Sequence, residues 1–251
     1  MIKKLTFIGV GPGDPDLLTI KAMREIQTAE VIFWTDSLIP EKIINFSKDN
    51  SEKIKTSSLN LNEITSLIIE KLNQGKKVVR LHDGDPCLFG AIHEQIEILK
   101  KENIKSEVIP GISAFQVTAS YHQAELTLPD VTQTIILSRA GGRTGMPERE
   151  SLKELAKIQA SLCLYLSARH VKKAQKTLLE FYAPNTKVIV GYRVSWEDGW
   201  TSLIELKDMV KLSLEKRLIR TTIYIISPAL NNYKKSSNLY NPNYSHLFRK
   251  N

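Results

Sequence analysis

Three short loops hold most of the chemistry that can be read from this chain. The first is Gly9-Val10-Gly11-Pro12-Gly13-Asp14-Pro15, directly after the apolar run Leu5 to Gly9. Glycines after a strand let the backbone approach a ligand and offer amide groups to an anion. The loop departs from the G-x-G-x-x-G dinucleotide fingerprint, since Asp14 stands at its third glycine and Pro12 and Pro15 each remove a donor. A dinucleotide site is therefore not expected, and taken alone the loop reads equally well as a tight structural turn. The second loop is His82-Asp83-Gly84-Asp85-Pro86 with Leu88-Phe89-Gly90 behind it. Two carboxylates flanking a glycine at a strand end suit a metal, hydroxyls or the amino group of an amino-acid-like ligand, although Asp85 also fits as a helix cap. The third is Val108-Ile109-Pro110-Gly111-Ile112-Ser113-Ala114, where Ser113 stands at a helix start and can cap it.

Other chemistries find little support. His82, His93, His122, His170 and His246 are dispersed without metal-ligand spacing, and Cys87 and Cys163 form no Cys-x-x-Cys pair. No metal is expected, and no Ser-His-Asp set is visible, so no nucleophilic residue is assigned. His82 is a candidate acid or base, and the other histidines read as structural or surface groups. Arg139, Arg143 and Arg149 fall on a glycine-containing stretch just past a strand. Arginine's planar fork suits carboxylates, while composition alone makes this a solvated basic loop.

These loops need elements to hold them, and the pattern is α/β. Strands are expected at Leu5 to Gly9, Val31 to Trp34, Val78 to His82 and Glu107 to Ile109. Helices are expected at Asp16 to Ala29, Asn62 to Asn73 (closed by Gly75) and Ile92 to Lys101. A second series has strands at Thr134 to Ser138, Leu162 to Leu166, Val188 to Tyr192 and Thr222 to Ile226, with helices at Ser151 to Ala160 and Val171 to Phe181. The alternation predicts mainly parallel sheets in two α/β domains, 1–120 and 121–230, followed by a tail, 231–251.

Composition narrows the class. Hydrophobic content of 42% and charged content of 25% are those of an ordinary globular protein. No apolar run is long enough to span a bilayer and no signal-peptide pattern stands at the start, so no membrane and a cytosolic location are expected. The net charge of +8 includes four basic residues and no acid in 231–251. The remainder holds 31 basic against 27 acidic residues, without a basic stripe interleaved with aromatics, so nucleic acid is not an expected partner.

Each loop is weak alone. Together, in order and spacing, G-x-G-P-G-D-P, R-L-x-x-G-D-P-x-x-x-G and V-I-P-G-I-S-A resemble the tetrapyrrole methylase family, over about Leu5 to Leu230. The resemblance implies two α/β domains with S-adenosylmethionine in the cleft between them, and a homodimer. It carries cofactor contacts onto Pro12, Asp83, Gly84, Asp85, Leu88, Ser113 and Ala114, with Leu166, Val194 and Thr221 nearer the adenine. Without it, Leu166 and Val194 read as core residues. Within the family, Glu125 to Pro129, Gln133-Thr134, Ser138 to Thr144, Pro147 to Glu150, Tyr192 to Trp196 and Arg220-Thr221 are similar to the subgroup that methylates carbon 11 of precorrin-4 or its cobalt form. So is the tail pattern Ser237-x-Leu239-Tyr240-x-Pro242 with Ser245-His246-x-Phe248-Arg249. That substrate bears many carboxylates, which gives Arg139, Arg143 and Arg149 a binding role. His93, Thr35-Asp36-Ser37 and Ser167-Ala168-Arg169-His170 depart from the family's usual residues and bear on individual substrate contacts. The alternatives are another tetrapyrrole methylase (uroporphyrinogen or other precorrin), a ribosomal RNA ribose methylase of the same fold, or a non-enzymatic nucleotide-sensing module.

Overall fold

Apolar runs as continuous as Val31 to Trp34 demand burial on both faces of a strand, and the fold supplies it. The computed structural model describes residues 3–141, 145–231, 245 and 247–249. The chain divides into two compact units, Met1–Val117 with Arg193–Asp198, and Thr118–Tyr192 with Gly199–Asn251. The order of elements places 193–198 in the second domain; in the structure this short segment groups with the first.

The first unit is built in the order β1 (Lys4–Gly9), α1 (Ile20–Thr28), β2 (Val31–Trp34), α2 (Glu41–Ile44), β3 (Glu52–Lys55), α3 (Leu61–Asn73), β4 (Val78–His82), α4 (Ile92–Lys101) and β5 (Lys105–Ile109). Its sheet runs β3-β2-β4-β1-β5, parallel throughout. Residues alternate between two cores. Leu5, Phe7, Phe33 and Val78 meet Ile64, Ile68 and Leu72 of α3 and Leu99 of α4 on one face. Ile8, Ile32, Val79 and Leu81 meet Ala22 and Ile26 of α1 and Ile43 of α2 on the other. Each buried Leu, Ile or Phe is worth about 1.5–3 kcal/mol, so these two layers carry the unit.

Capping sets the helix starts. The Asn60 side chain accepts from Glu63 N–H at 3.1 Å and the Glu63 carboxylate accepts from Asn60 N–H at 2.7 Å, a reciprocal pair that begins α3. The helix expected over 16–29 is instead a single 3-10 turn, Pro15–Leu17, and then α1. Asp14 caps the turn, Leu18 is extended, and Thr19 Oγ1 accepts from Ala22 N–H at 3.1 Å to start afresh. The uncharted strand β3, Glu-Lys-Ile-Lys, is a charged edge with little to bury, which is how edges avoid pairing with other chains.

α5 (Ala114–Tyr121) spans the division between units. The second unit continues with β6 (Ile135–Arg139), α6 (Leu152–Ala156), β7 (Ser161–Tyr165), α7 (Val171–Leu178), β8 (Lys187–Tyr192), β9 (Trp200–Glu205), α8 (Met209–Glu215) and β10 (Thr222–Ile226). Its sheet runs β6-β7-β10-β8-β9. Only β6–β7 is parallel there, so the expectation of mainly parallel sheets holds for the first unit and is corrected for the second. The reason is connection length. Residues 193–199 alone join β8 to β9, too few for a crossover, so the strands pair antiparallel.

Candidate functional site

In the first unit the loops leaving β1, β4 and β5 are joined backbone to backbone. Val10 N–H donates to the His82 carbonyl at 2.9 Å, and Gly11 and Gly84 exchange hydrogen bonds at 3.2 and 2.8 Å. The third loop closes on them without room to spare. A Cβ on Gly111 would lie 2.1 Å from the Gly84 carbonyl oxygen, and one on Gly9 would lie 2.5 Å from Gly111 N. Only glycine fits either place.

Asp85 fastens the arrangement. One carboxylate oxygen accepts from Cys87 N–H at 2.7 Å and the other from Gly111 N–H at 3.0 Å. Asp85 thus ties the β4 loop to the β5 loop, and it caps no helix. Ser113 is buried, its N–H donates to the Gln116 side chain at 2.9 Å, and α5 begins at the next residue, Ala114. Ser113 packs 3.8 Å from where a Gly84 Cβ would stand. Of the residues expected to hold the cofactor, Pro12, Asp83, Gly84, Asp85, Leu88 and Ser113 lie on these three joined loops, and Ala114 opens α5 directly behind the third.

The electrostatics separate neighbours. Asp83 keeps solvent access, yet surrounding protein strips hydration from its carboxyl and raises its pKa. His82 faces inward against the Phe7 ring, with 5.8 Å between ring centres. Burial, with the Arg80 guanidinium beside it, pulls its pKa down to about 3. Arg80 is itself pushed down to about 10 by burial. His82 is therefore a neutral interior group near pH 7, without the proton that an acid role would need. Both cysteines are free, Cys87 exposed and Cys163 buried. Among the described residues no group of three or more His, Cys, Asp or Glu is placed to hold a metal.

In the second unit one edge of the sheet gathers the ends of four strands, Arg139, Tyr165, Thr222 and Tyr192. Leu166 follows Tyr165 and Thr221 precedes Thr222, both at positive φ (52° and 48°). Leu166 is 68% exposed and so is no core residue, whereas Val194, in the segment 193–198, is buried at 5%. Ser167 Oγ accepts from Ala140 N–H at 2.7 Å and donates to the Tyr165 carbonyl at 2.6 Å, joining the loops after β6 and β7. Arg139 donates to the Gly145 carbonyl at 2.8 Å. Arg149 stands apart on a 3-10 turn, 87% exposed and 3.6 Å from Glu150. Arg143 and most of the tail pattern lie outside the described residues.

Residues 4–205, most of the chain, match the family model for tetrapyrrole (corrin/porphyrin) methylases. The chain belongs to that family. It is 43% identical over 251 residues to a cobalt-precorrin-4 C(11)-methyltransferase of Methanocaldococcus jannaschii, covering 99% of this chain and 96% of that one. It is 38% identical to a precorrin-4 C(11)-methyltransferase of Pseudomonas aeruginosa, covering 97% of each. The X-ray structure of a cobalt-precorrin-4 methyltransferase superposes with a TM-score of 0.88 at 38% identity, covering 91% of this chain and 96% of that one. Against this family background, sequence reading missed Ser195 and Trp196, which hold the first glycine loop. Their only signal was membership in the run Tyr192 to Trp196, which says nothing of a partner 184 residues away.

Proposed function

We propose that this tetrapyrrole methylase uses S-adenosylmethionine to methylate carbon 11 of precorrin-4 or cobalt-precorrin-4 in cobalamin biosynthesis. The observation that carries the reading is the joining of three glycine loops at the ends of β1, β4 and β5, in a chain 43% identical along its length to a C(11)-methyltransferase. The donor set fits a zwitterionic sulfonium ligand. A main-chain amide of these loops and the Ser113 side chain suit carboxylate or hydroxyl groups, and the Asp83 carboxyl, on a residue that keeps solvent access, suits the positive amino or sulfonium end.

When bound, the cofactor supplies an electrophilic methyl group: a bond forms from carbon to methyl, the methyl–sulfur bond breaks, and S-adenosylhomocysteine leaves. The protein's part is placement. Holding both reactants in line contributes roughly 7–11 kcal/mol in favourable cases, with no side-chain nucleophile required. Pro12, Asp83, Gly84, Asp85, Leu88, Ser113 and Ala114 hold the cofactor in this reading, with Leu166, Val194 and Thr221 nearer the adenine. Arg139, Arg143 and Arg149 take substrate carboxylates. His82, neutral and interior, is assigned no proton-transfer step in this reading. The working form is a homodimer, which light scattering on the purified chain measures directly.

The deciding experiment is incubation with methyl-labelled S-adenosylmethionine and each of the two substrates, then location of the label by NMR. A new methyl on carbon 11 is expected. Binding of S-adenosylhomocysteine with no turnover of either substrate would overturn the reading and favour a non-enzymatic module.

A further inference from the structure

Between β8 and β9 the chain runs through Arg193–Asp198, the six residues that group with the first unit. Their backbone is held in costly conformations, with Arg193 at φ 43° and Ser195 at φ 65°, neither a glycine. Such strain persists where surrounding contacts over-determine it. Here those contacts converge on the first glycine loop. Trp196 Nε1–H donates to the Pro12 carbonyl at 2.9 Å, and Ser195 Oγ accepts from Asp14 N–H at 2.9 Å. The indole lies against Gly13, where a Cβ would fall 2.5 Å from Trp196 Cδ1, so glycine is required. The Arg193 guanidinium stacks 4.0 Å from the Trp196 ring centre and pairs with Asp198 at 2.9 Å.

The amides of the loop then account for themselves. Val10 N–H goes to His82, Gly11 N–H to Gly84 and Asp14 N–H to Ser195, while Pro12 and Pro15 have none. Gly13 N–H is the one amide between Val10 and Asp14 without an acceptor among the described residues, and Gly13 is buried, where an unmade hydrogen bond is expensive. The Pro12–Gly13 peptide is trans, so its C=O and N–H point in opposite directions. Anchoring the carbonyl on the indole therefore aims the Gly13 N–H to the other side.

We propose that Trp196 and Ser195 are positioning residues for the cofactor loop, turning the Pro12–Gly13 peptide so that the Gly13 amide donates to an acceptor of the bound S-adenosyl ligand. The proposal rests on the reading of this chain as an S-adenosylmethionine enzyme.

Calorimetry with S-adenosylhomocysteine on the full chain tests it. Trp196→Phe, which deletes the N–H and keeps a ring, and Ser195→Ala each weaken binding roughly 3- to 10-fold, the range for one neutral hydrogen bond. The KM for S-adenosylmethionine rises in step while kcat moves less than about twofold, as for lost binding rather than lost chemistry. Ser195→Gly, which removes the hydroxyl but suits the positive φ, weakens binding to the same degree as Ser195→Ala, so that backbone strain is not the cause. Unchanged affinity in a folded Ser195→Ala, Ser195→Gly or Trp196→Phe protein overturns the proposal. If Trp196→Phe fails to fold, the two Ser195 variants decide alone. Failure of the wild-type chain to bind S-adenosylhomocysteine sinks the underlying reading instead, and is seen before any variant is compared.

Discussion

In the first sheet, the loops leaving β1, β4 and β5 touch through main chain, with Gly9 and Gly111 packed so closely against each other and the Gly84 carbonyl that no side chain fits on either. In the second, the Ser167 hydroxyl joins the loops leaving β6 and β7, and among the described residues nothing lies within 4 Å of where a Gly141 Cβ would be. The first arrangement fixes amide groups within tenths of an ångström and tolerates almost no substitution. The second displays long side chains, Arg139 and the exposed Leu166. In the proposed reading a small cofactor of constant shape takes the first kind of surface and reaches Leu166 and Thr221 with its adenine, while the arginines of the second take a large substrate rimmed with carboxylates.

The sharpest way to break this contrast is to add one methyl group to each side. Gly111→Ala drives a Cβ into the Gly84 carbonyl at 2.1 Å, and that atom is backbone, with nowhere to go. Overpacking of this kind costs about 3 kcal/mol, which for a chain of this size lowers the melting midpoint by roughly 6–12 °C. S-adenosylhomocysteine binding should be lost with it. Gly141→Ala meets nothing within 4 Å among the described residues and should change stability by less than about 0.5 kcal/mol. Differential scanning calorimetry of both variants checks this, and equal losses would erase the distinction between the two loop sets.

Acid sharpens the comparison from another side, with an effect of about 2 kcal/mol. The first sheet buries His82 with its pKa down at about 3, below the ordinary 6.5. Above pH 6.5 both folded and unfolded chains hold it neutral, and stability is intact. Below 6.5 the unfolded chain takes up a proton that the folded one refuses, so stability falls by up to about 1.4 kcal/mol per pH unit toward pH 3. Carboxylates such as Glu107, held at about 2 by Lys21 and Lys4, add their own loss only at lower pH. Urea unfolding at pH 7 and pH 5 should differ by about 2 kcal/mol, and His82→Gln should flatten the slope between them. Hydrogen exchange at pH 5 should open β4 before β7. Simultaneous opening would mean that the two sheets share one acid sensitivity.

The same contrast governs what could be read in advance. Val31–Trp34, Val78–His82, Ile92–Lys101 and Thr222–Ile226 match their expected spans to the residue, because buried strands and an amphipathic helix write their period into the chain. The glycine loops were legible because close backbone contact leaves only one residue type possible. β3 and β9 were not, since a charged edge strand and Trp200–Glu205 carry no apolar run. The 16–29 helix was read too long because Thr19 looks like a neutral helix interior until its hydroxyl is seen to cap Ala22. Leu166 was illegible in the opposite sense: a leucine ending an apolar strand reads as core, and only its φ of 52° turns it outward. Trp196 and Ser195 were hidden by distance along the chain, since nothing local to them names Pro12 or Asp14.

The smallest expected effects belong to the arginines of the second unit, and they test whether its display serves the substrate. Arg139 ends β6, and one of its nitrogens already donates to Gly145, so part of its capacity is spent shaping its own loop. A charge-assisted hydrogen bond to a carboxylate is worth about 1.5–3 kcal/mol, and with one arm committed Arg139→Ala should lower kcat/KM for the tetrapyrrole on the order of tenfold. Affinity for S-adenosylhomocysteine should hold. Arg139→Lys should recover only part of the loss, because a point charge lacks the two-pronged geometry. Arg149, 87% exposed and 3.6 Å from Glu150, is in a pair that solvent screens to about 0–1 kcal/mol. Arg149→Ala should leave folding stability within about 0.5 kcal/mol, while the lost carboxylate contact, screened at so exposed a site, should lower kcat/KM by roughly three- to tenfold. Steady-state kinetics with each variant, run at low and high salt, separates the possibilities. If Arg139→Ala instead weakens S-adenosylhomocysteine and spares tetrapyrrole binding, Arg139 belongs with Leu166 and Thr221 on the cofactor, and its role toward the substrate fails.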